Sequence, residues 1–386
     1  MRYGHFDDEA REYVITTPLT PYPWINYLGS EEFFSLISHT GGGYTFFRDA
    51  RLRRLTRYRY NNIPTDSGGR YFFINDGGDV WTPSWLPMKK DLDKFETRHG
   101  LGYTRVTGQR GGLEVSTLYF VPKGENAEIQ RVIIINRSAE QKNFSLFSYL
   151  EFCLWNAQDD QTNYQRNLSL AELEVEGSNI YHKTEYRERR DHYAVYSVNE
   201  EIAGFDTDHE TFVSLYETLG EAKVPHAGKA TNSMASGWYP IGSHQVDISL
   251  APGQVKYLTF VLGYIENGED KWADDAKQII KKGNAHALLE RIGSNEAADA
   301  AFVALQDHRS NLLGSYEVNS PAIPSEGDGY SLRRLIRGAW VDINVTNPDH
   351  VESGVKSITV NGTPVSGKVI PNDLLSDGAK IEVVLG

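Results

Sequence analysis

The sequence predicts a mainly β protein in which a large antiparallel β-sandwich is followed by two helices and a small second β unit. Short alternating or apolar runs fill the segment from Tyr13 to Gly263, helical spacing replaces them after Gly268, and alternation returns beyond residue 329. The 386 residues are enough for about two to three domains at ~150 residues each. The 35 Gly, 22 Tyr and 16 Phe also favour turn-rich β structure.

The first element is the sandwich, whose strand-like runs are separated by turn signals such as Gly111-Gly112 and Pro252-Gly253. Helical segments do not alternate with these runs, which favours a sandwich over a βαβ fold. The predicted strands include Val106–Phe120, Gln130–Ile135, Asn143–Phe152, Phe212–Leu215, Gln245–Leu250 and Lys256–Gly263.

Two helices are predicted next, over Lys271–Ile292 and Ser294–Tyr316, with Ser294 or Asn295 as the cap of the second. Arg309 lies on the apolar face of this second helix. Either the guanidinium of Arg309 reaches water while its aliphatic chain packs against the protein, or this face of the helix lacks the partner that it was formed to contact. The apolar positions of that face are Phe302, Leu305, Leu312 and Tyr316.

The last element is a second β unit behind a connector rich in Pro, Gly and Ser, Pro321–Gly329. Asn361-Gly362 is a strong hairpin signal. The predicted strands on either side of it are Ser357–Val360 and Pro364–Ile370. Two further strands are predicted at Trp340–Thr346 and Lys380–Leu385. We therefore divide the chain into a sandwich at 1–268, a helical linker at 269–318, a connector at 319–329 and a C-terminal β domain at 330–386.

Composition excludes several classes of function. With 39 Lys+Arg against 52 Asp+Glu, the net charge of -13 argues against nucleic acid or an anionic membrane as a partner. No run approaches the ~20 apolar residues of a membrane span. Cys153 is the only cysteine, which excludes an intrachain disulfide and a cysteine-based zinc site and favours the cytoplasm. Met1–Tyr13 has no apolar core, so we do not interpret it as a secretory signal.

Local motifs indicate structure more than chemistry. No phosphate loop or dinucleotide fingerprint is present, no cofactor is predicted, and Gly41-Gly42-Gly43 is interpreted as a bend between strands. The arginine-rich segment Arg48–Tyr60 could form a nucleic-acid patch, but ion pairs with carboxylates are favoured in an acidic chain. The mixed charges of His182–His192 are likewise interpreted as cross-strand ion pairs.

The carboxylates that could serve in sugar chemistry are Asp7, Asp8, Asp159 and Asp160, although the sequence places none of them across a scissile bond. Asp159 and Asp160 belong to a polar loop, Cys153–Asn167, that follows a predicted buried strand. Its Asn, Gln and aromatic side chains suit hydrogen bonding to sugar hydroxyls. A well-hydrated surface loop explains the same composition, and both interpretations remain open.

Several longer segments carry a specific resemblance, namely Phe6-Asp7-Asp8, Thr20–Gly29, Phe46–Tyr60 and His182–Arg190. They resemble the cellobiose phosphorylases of glycoside hydrolase family 94, densely from Met1 to about Ser320 and again from Ile323. The resemblance implies an N-terminal sandwich, a two-helix linker, an (α/α)6 catalytic barrel and a C-terminal β jelly roll, usually in a homodimer. It also implies phosphate-dependent, inverting cleavage of cellobiose to glucose 1-phosphate and glucose.

The sequence departs from that family where the barrel should be, because the barrel and its catalytic Asp are missing between Ser320 and Ile323. Arg309 and Gly327 also stand where the family pattern has Trp, which removes apolar surface that a barrel would have covered. We interpret the chain as a catalytically inactive, engineered, barrel-deleted scaffold, although a natural deletion would leave a similar sequence.

Residue by residue, the resemblance implies that the loop contacts sugar through Asn156, Asn163, Tyr164 and Gln165. Without a barrel we expect at most weak binding of gluco-oligosaccharides, together with homodimerisation. Two alternatives remain open. The first is a trimmed glycoside phosphorylase that uses a separately supplied barrel or a residual site, and the second is a β-sandwich carbohydrate-binding module.

Overall fold

The computed structural model describes residues 3–59, 63, 65–162, 170–185, 191–237, 239–268, 280–313, 315–317, 324, 327–336 and 339–386. Within them the chain divides into two compact units, Met1–Leu305 and Gln306–Gly386. The predicted mainly β fold class, with a large sandwich and a small C-terminal domain, is confirmed.

The first unit contains twenty strands among its described residues, and their bounds follow in chain order. The first ten are β1 Gly4–Asp7, β2 Glu12–Ile15, β3 Ile25–Ser30, β4 Phe33–Ser38, β5 Gly43–Phe47, β6 Arg54–Thr56, β7 Arg70–Asp76, β8 Asp79–Trp81, β9 Lys94–Gly100 and β10 Tyr103–Arg110. The next ten are β11 Leu113–Phe120, β12 Ala127–Asn136, β13 Lys142–Trp155, β14 Leu170–Glu176, β15 Asn179–Glu185, β16 His192–Val198, β17 Gly204–Asp208, β18 Ser236–Gly237, β19 Pro240–Leu250 and β20 Val255–Glu266.

Helices cover the outer faces of the sheets in the first unit. They are α1 Ala157–Asp160, α2 His209–Val213, α3 Lys223–Ala227, α4 Gly283–Ile292 and α5 Asn295–Leu313, with a 3₁₀ turn at Leu219–Glu221. None of the helices in the described part of the chain is both long and apolar enough to cross a membrane.

Two large sheets pack face to face around the main core. In the described residues, the first sheet has the order β1-β2-β9-β10-β11-β12-β20-β16-β15-β14-β18. The second has the order β17-β19-β13-β6-β5-β4-β3, with β7 and β8 added along β13. Leu150 and Phe152 of β13 point between the sheets, whereas Tyr149 lies on the outer face among residues of α2 and α3. Because side chains alternate along a strand, Glu151 also belongs to that outer face.

The helical region agrees only partly with the prediction. Ser294 caps α5 by accepting from the backbone N–H of Ala297 at 3.0 Å, and Phe302 packs against the sheet, with its ring centroid 5.2 Å from that of Tyr103. Arg309 is half-buried. However, α5 ends at Leu313 instead of continuing to Tyr316, because Ser315–Glu317 pairs as a strand.

Two predicted strands are interrupted, Val106–Phe120 between Arg110 and Leu113 and Pro364–Ile370 between Val365 and Val369, and a third is wrong. Phe212 and Val213 end α2 rather than forming a strand over Phe212–Leu215. Asp208 starts this helix by accepting from the backbone N–H of Thr211 at 2.9 Å, and both apolar residues then pack into a cluster on the outer face of the second sheet. A short apolar run does not distinguish a strand from a buried helical turn, and here the N-cap at Asp208 favours the helix.

The second unit is built around a mixed sheet of order β22-β23-β27-β24-β25. Asn361 and Gly362 both have positive φ, 52° and 82°, and join β24 to β25 as the sequence predicts. The strands of this unit are β21 Ser315–Glu317, β22 Gly329–Ile336, β23 Ala339–Thr346, β24 Ser357–Val360, β25 Thr363–Val365, β26 Val369–Pro371 and β27 Ala379–Val384, with a 3₁₀ turn at Asn372–Leu374.

Candidate functional site

The polar loop predicted to contact sugar begins where β13 ends. Asn156 is the N-cap of α1, and its Oδ1 accepts from the backbone N–H groups of Gln158 and Asp159 at 3.1 and 3.2 Å. Its Nδ2 donates to Oδ2 of Asp159 at 3.0 Å. Asn156 therefore shapes the loop through both ends of its amide. The other three predicted residues, Asn163, Tyr164 and Gln165, lie outside the described residues, and their contact with sugar stays a prediction.

Asp160, also in this loop, is held in the interior by Arg57. The two side chains form a bidentate ion pair, with Nε to Oδ2 and Nη2 to Oδ1 both at 2.7 Å. Nη1 of Arg57 lies 3.7 Å from Oε2 of Glu151. Burial opposes the charge of Arg57, but the carboxylates of Asp160 and Glu151 outweigh it and raise the pKa of Arg57 above its ordinary value.

Other arginines of the Arg48–Tyr60 segment are also paired, as the sequence predicts. Arg48 pairs with Glu32, and Nη1 of Arg53 lies 2.5 Å from Oε1 of Glu266. The guanidinium of Arg54 lies over the ring of Tyr44, 3.9 Å from its centroid. These three arginines therefore make contacts within the fold.

A cavity of about 520 Å³, which we call the Arg57 cavity, opens on the outer face of the second sheet beside the loop. Its floor is made by Arg57, Tyr71, Glu151, His209 and Tyr239. The segments Leu86–Lys89 and Glu217–Glu221, which meet at Pro87 and Gly220, also line it. Arg59 also lines it. These parts come from positions 57 to 239, and the packing of β6, β7, β13 and α2 brings them together.

Glu151 and His209 are the central polar groups of this floor. The Tyr149 hydroxyl donates to Oε1 of Glu151 at 2.7 Å, and Nε2 of His209 lies 3.8 Å from the same oxygen. Burial lowers the pKa of His209, although Glu151 partly offsets this, so the imidazole is neutral at pH 7. The His209 ring stacks on Tyr239 with centroids 3.7 Å apart and an angle of 7° between planes.

Sequence reasoning did not single out Glu151 or His209. The available signal for Glu151 was a charge inside the otherwise apolar run Ser148–Trp155. Among the candidate carboxylates that were singled out, Asp7 lies 3.2 Å from Nη1 of Arg98 and Asp160 is bound by Arg57, so neither faces an open cleft as a free acid. In the described ranges no group of three or more His, Cys, Asp or Glu side chains is arranged to hold a metal ion.

Comparison with known proteins shows a family for most of the chain. A family model described as glycosyl hydrolase 94, supersandwich domain, matches residues 11–286. The N,N'-diacetylchitobiose phosphorylase of Vibrio proteolyticus is 33% identical over 337 residues, which cover 83% of this chain and 39% of that protein. The solabiose phosphorylase of Paenibacillus borealis is 26% identical over 354 residues, which cover 88% of this chain and 45% of that protein.

Solved structures show lower similarity. A bacterial glucoamylase complexed with acarbose is 10% identical and aligns with a TM-score of 0.40, over 78% of this chain and 41% of the glucoamylase. The alignments with the two phosphorylases cover 39% and 45% of those proteins, so the chain spans less than half the length of these curated relatives.

Proposed function

This chain belongs to the glycosyl hydrolase 94 family, and we propose that it is a catalytically inactive, barrel-deleted scaffold of a glycoside phosphorylase. The family expected from the sequence resemblance is confirmed by the match of the supersandwich domain over residues 11–286. The proposal concerns what this part of a phosphorylase does without the remainder of the enzyme.

The observation that carries the proposal is the length matched in the relatives. The alignments use 83–88% of this chain but only 39–45% of each phosphorylase. A phosphorylase needs an acid to protonate the leaving oxygen and a site that holds phosphate as the nucleophile. Asp160 and Arg57 have the right chemistry for such roles, but they neutralise each other in a buried bidentate pair. This arrangement supports a structural role for both.

We further propose weak binding of gluco-oligosaccharides by the polar loop. Asn156, Asn163, Tyr164 and Gln165 are the residues that the family resemblance assigns to this contact. A loop that is not part of an enclosed pocket gives weak affinity, because ordering any loop costs free energy and the sugar keeps much of its contact with water. The sandwich is also proposed to form a homodimer, for which light scattering should give twice the monomer mass. A cytoplasmic location, supported by the single Cys153, and an engineered origin complete the proposal.

The decisive experiment is a phosphorolysis assay. The chain is incubated with inorganic phosphate and either cellobiose or N,N'-diacetylchitobiose, and release of sugar 1-phosphate is measured. The Vibrio proteolyticus N,N'-diacetylchitobiose phosphorylase serves as the positive control for the second sugar. We expect no release above the protein-free blank. Phosphate-dependent release above the blank would contradict the proposal, and its loss in a Glu151→Gln variant that is still folded would show that the chain keeps a residual site.

A further inference from the structure

The Arg57 cavity has the size of a small-molecule site. Its volume of about 520 Å³ lies within the ~300–1,000 Å³ of typical ligand pockets. Arg57 and Tyr71 at its floor are buried, whereas Lys89, Glu217 and Glu221 at its rim are exposed. A ligand that enters from the rim would therefore reach buried groups at the floor.

The charges around the cavity balance. Among the described lining residues, the cations are Arg57, Arg59 and Lys89 and the anions are Glu151, Glu217 and Glu221, so three positive and three negative charges give a formal sum of zero. The charge of Arg57 is further compensated by Asp160 behind it. With a formal sum of zero, the lining as a whole gives a phosphate or a carboxylate no net long-range attraction. This balance favours an uncharged polar ligand.

Hydrogen-bonding capacity remains at the floor. In the described part of the chain, no hydrogen bond reaches Oε2 of Glu151, and the 3.7 Å to Arg57 Nη1 is too long for one. His209 Nε2, at 3.8 Å from Oε1 of Glu151, is similarly beyond hydrogen-bond distance. A carboxylate accepts hydrogen bonds, and a neutral imidazole both donates and accepts. Sugar hydroxyls, which each donate and accept, complement this pair.

The remaining lining is apolar or aromatic. Leu86, Pro87, Met88 and Leu219 line the cavity, and the rings of His209 and Tyr239 stack on each other. A pyranose ring presents C–H faces as well as hydroxyls, so it suits a pocket that combines apolar walls with a few polar groups.

We propose that the Arg57 cavity binds a neutral mono- or disaccharide, with Glu151 and His209 bonding its hydroxyls and the apolar side chains of Pro87, Met88 and Leu219 contacting its C–H face. This site goes beyond the proposed function, because it depends neither on the loop residues at 163–165 nor on the absence of catalysis. It makes the sandwich itself a binding module for neutral sugars.

The first test is isothermal titration calorimetry of the full chain with three probes: cellobiose, N-acetylglucosamine and inorganic phosphate. We expect saturable binding of at least one of the two neutral sugars, and neither binding nor competition by phosphate at the same concentration. Saturable phosphate binding that displaces the sugar would overturn the proposal, as would the absence of a saturable signal from both sugars.

The second test locates the site with variants. His209→Phe keeps the stack on Tyr239 but removes the ring nitrogens, and Leu219→Trp narrows the cavity from a partly exposed position; each should weaken sugar binding at least about tenfold. His226→Phe changes an exposed histidine outside the lining and should leave the affinity unchanged. Circular dichroism checks that each variant is folded.

The variants also separate this site from the loop. Sugar binding that survives both cavity variants but is lost in Tyr164→Ala would overturn the proposal and assign binding to the loop. The phosphorolysis assay is independent of these titrations, so failure of the proposed function and failure of this inference are distinguishable.

Discussion

Arg70 on β7 and Glu128 on β12 form an ion pair that joins the two large sheets through the core, with Nε and Oε1 2.6 Å apart. Neither side chain exposes more than 1% of its surface. Glu128 also accepts from Nη2 of Arg70 at 2.8 Å, and Ser35 and Thr45 contribute hydroxyls to the same network. Two charges in this position are stable only because each satisfies the other.

Glu128→Gln should therefore destabilise the sandwich strongly. The substitution keeps the shape but leaves the buried Arg70 charge uncompensated, for which we expect a loss of about 3–5 kcal/mol in the free energy of unfolding. Urea unfolding measures the loss. The matched control is Glu200→Gln, which removes the partner of Lys256 where both side chains are 33% exposed and should cost less than about 1 kcal/mol. Equal effects of the two substitutions would contradict this account.

Buried histidines predict a loss of stability in acid. Burial lowers the pKa of His182 to about 3, helped by the positive charge of Arg57, and burial lowers the pKa of His244 to about 3 as well. Between pH ~6.5 and ~3 the unfolded chain therefore binds protons that the folded chain does not. The free energy of unfolding should fall as the pH is lowered through this window, by at most about 1.4 kcal/mol per pH unit for each histidine.

The variant His182→Phe tests whether the buried His182 contributes to this loss of stability in acid. The His182 ring stacks on Phe152 with centroids 4.6 Å apart, so a phenyl ring suits the site and removes the titrating group. Urea unfolding at pH 7, 6 and 5 should give a shallower decline for this variant than for the parent chain. His226→Phe, at an exposed position, should follow the parent. An unchanged slope in His182→Phe would show that other groups cause the acid sensitivity.

The Gly41-Gly42-Gly43 bend depends on its third residue. Gly43 has a φ of 123°, and a Cβ added there would lie 2.0 Å from the carbonyl oxygen of Leu36 on β4. Gly43→Ala should cost more than about 2 kcal/mol, because strained backbone and a backbone clash add together. Gly77→Ala is the control, since Gly77 has a φ of 62° with open space around it and should lose only about 1 kcal/mol. Thermal or urea unfolding measures both losses. If Gly43→Ala and Gly77→Ala lose similar amounts of free energy of unfolding, the clash at Gly43 is relieved by a shift of the backbone.

Sequence reasoning predicted what local patterns encode. Alternation predicts the strand run Val106–Phe120, which the Gly111-Gly112 turn divides into β10 and β11, and Asn361-Gly362 predicts the β24–β25 hairpin. The Arg57 cavity could not be predicted in this way, because Arg57, Glu151 and His209 are distant in sequence and meet only through sheet packing. The ion pair of Arg57 with Asp160 joins residues 103 positions apart, and the periodicity of the sequence does not predict it.

The last prediction concerns Asn156, for which sequence resemblance and local geometry suggest different roles. As the N-cap of α1 it accepts two backbone N–H groups, so Asn156→Ala should cost about 1 kcal/mol in the free energy of unfolding. Asn156→Ser keeps an oxygen that can cap the helix and should lose only a few tenths of a kcal/mol. Urea unfolding separates the two, and calorimetry with cellobiose shows whether either substitution changes sugar affinity. If Asn156→Ser lowers the affinity while stability is retained, the side chain contacts sugar directly; if only Asn156→Ala lowers it, Asn156 acts by holding the loop.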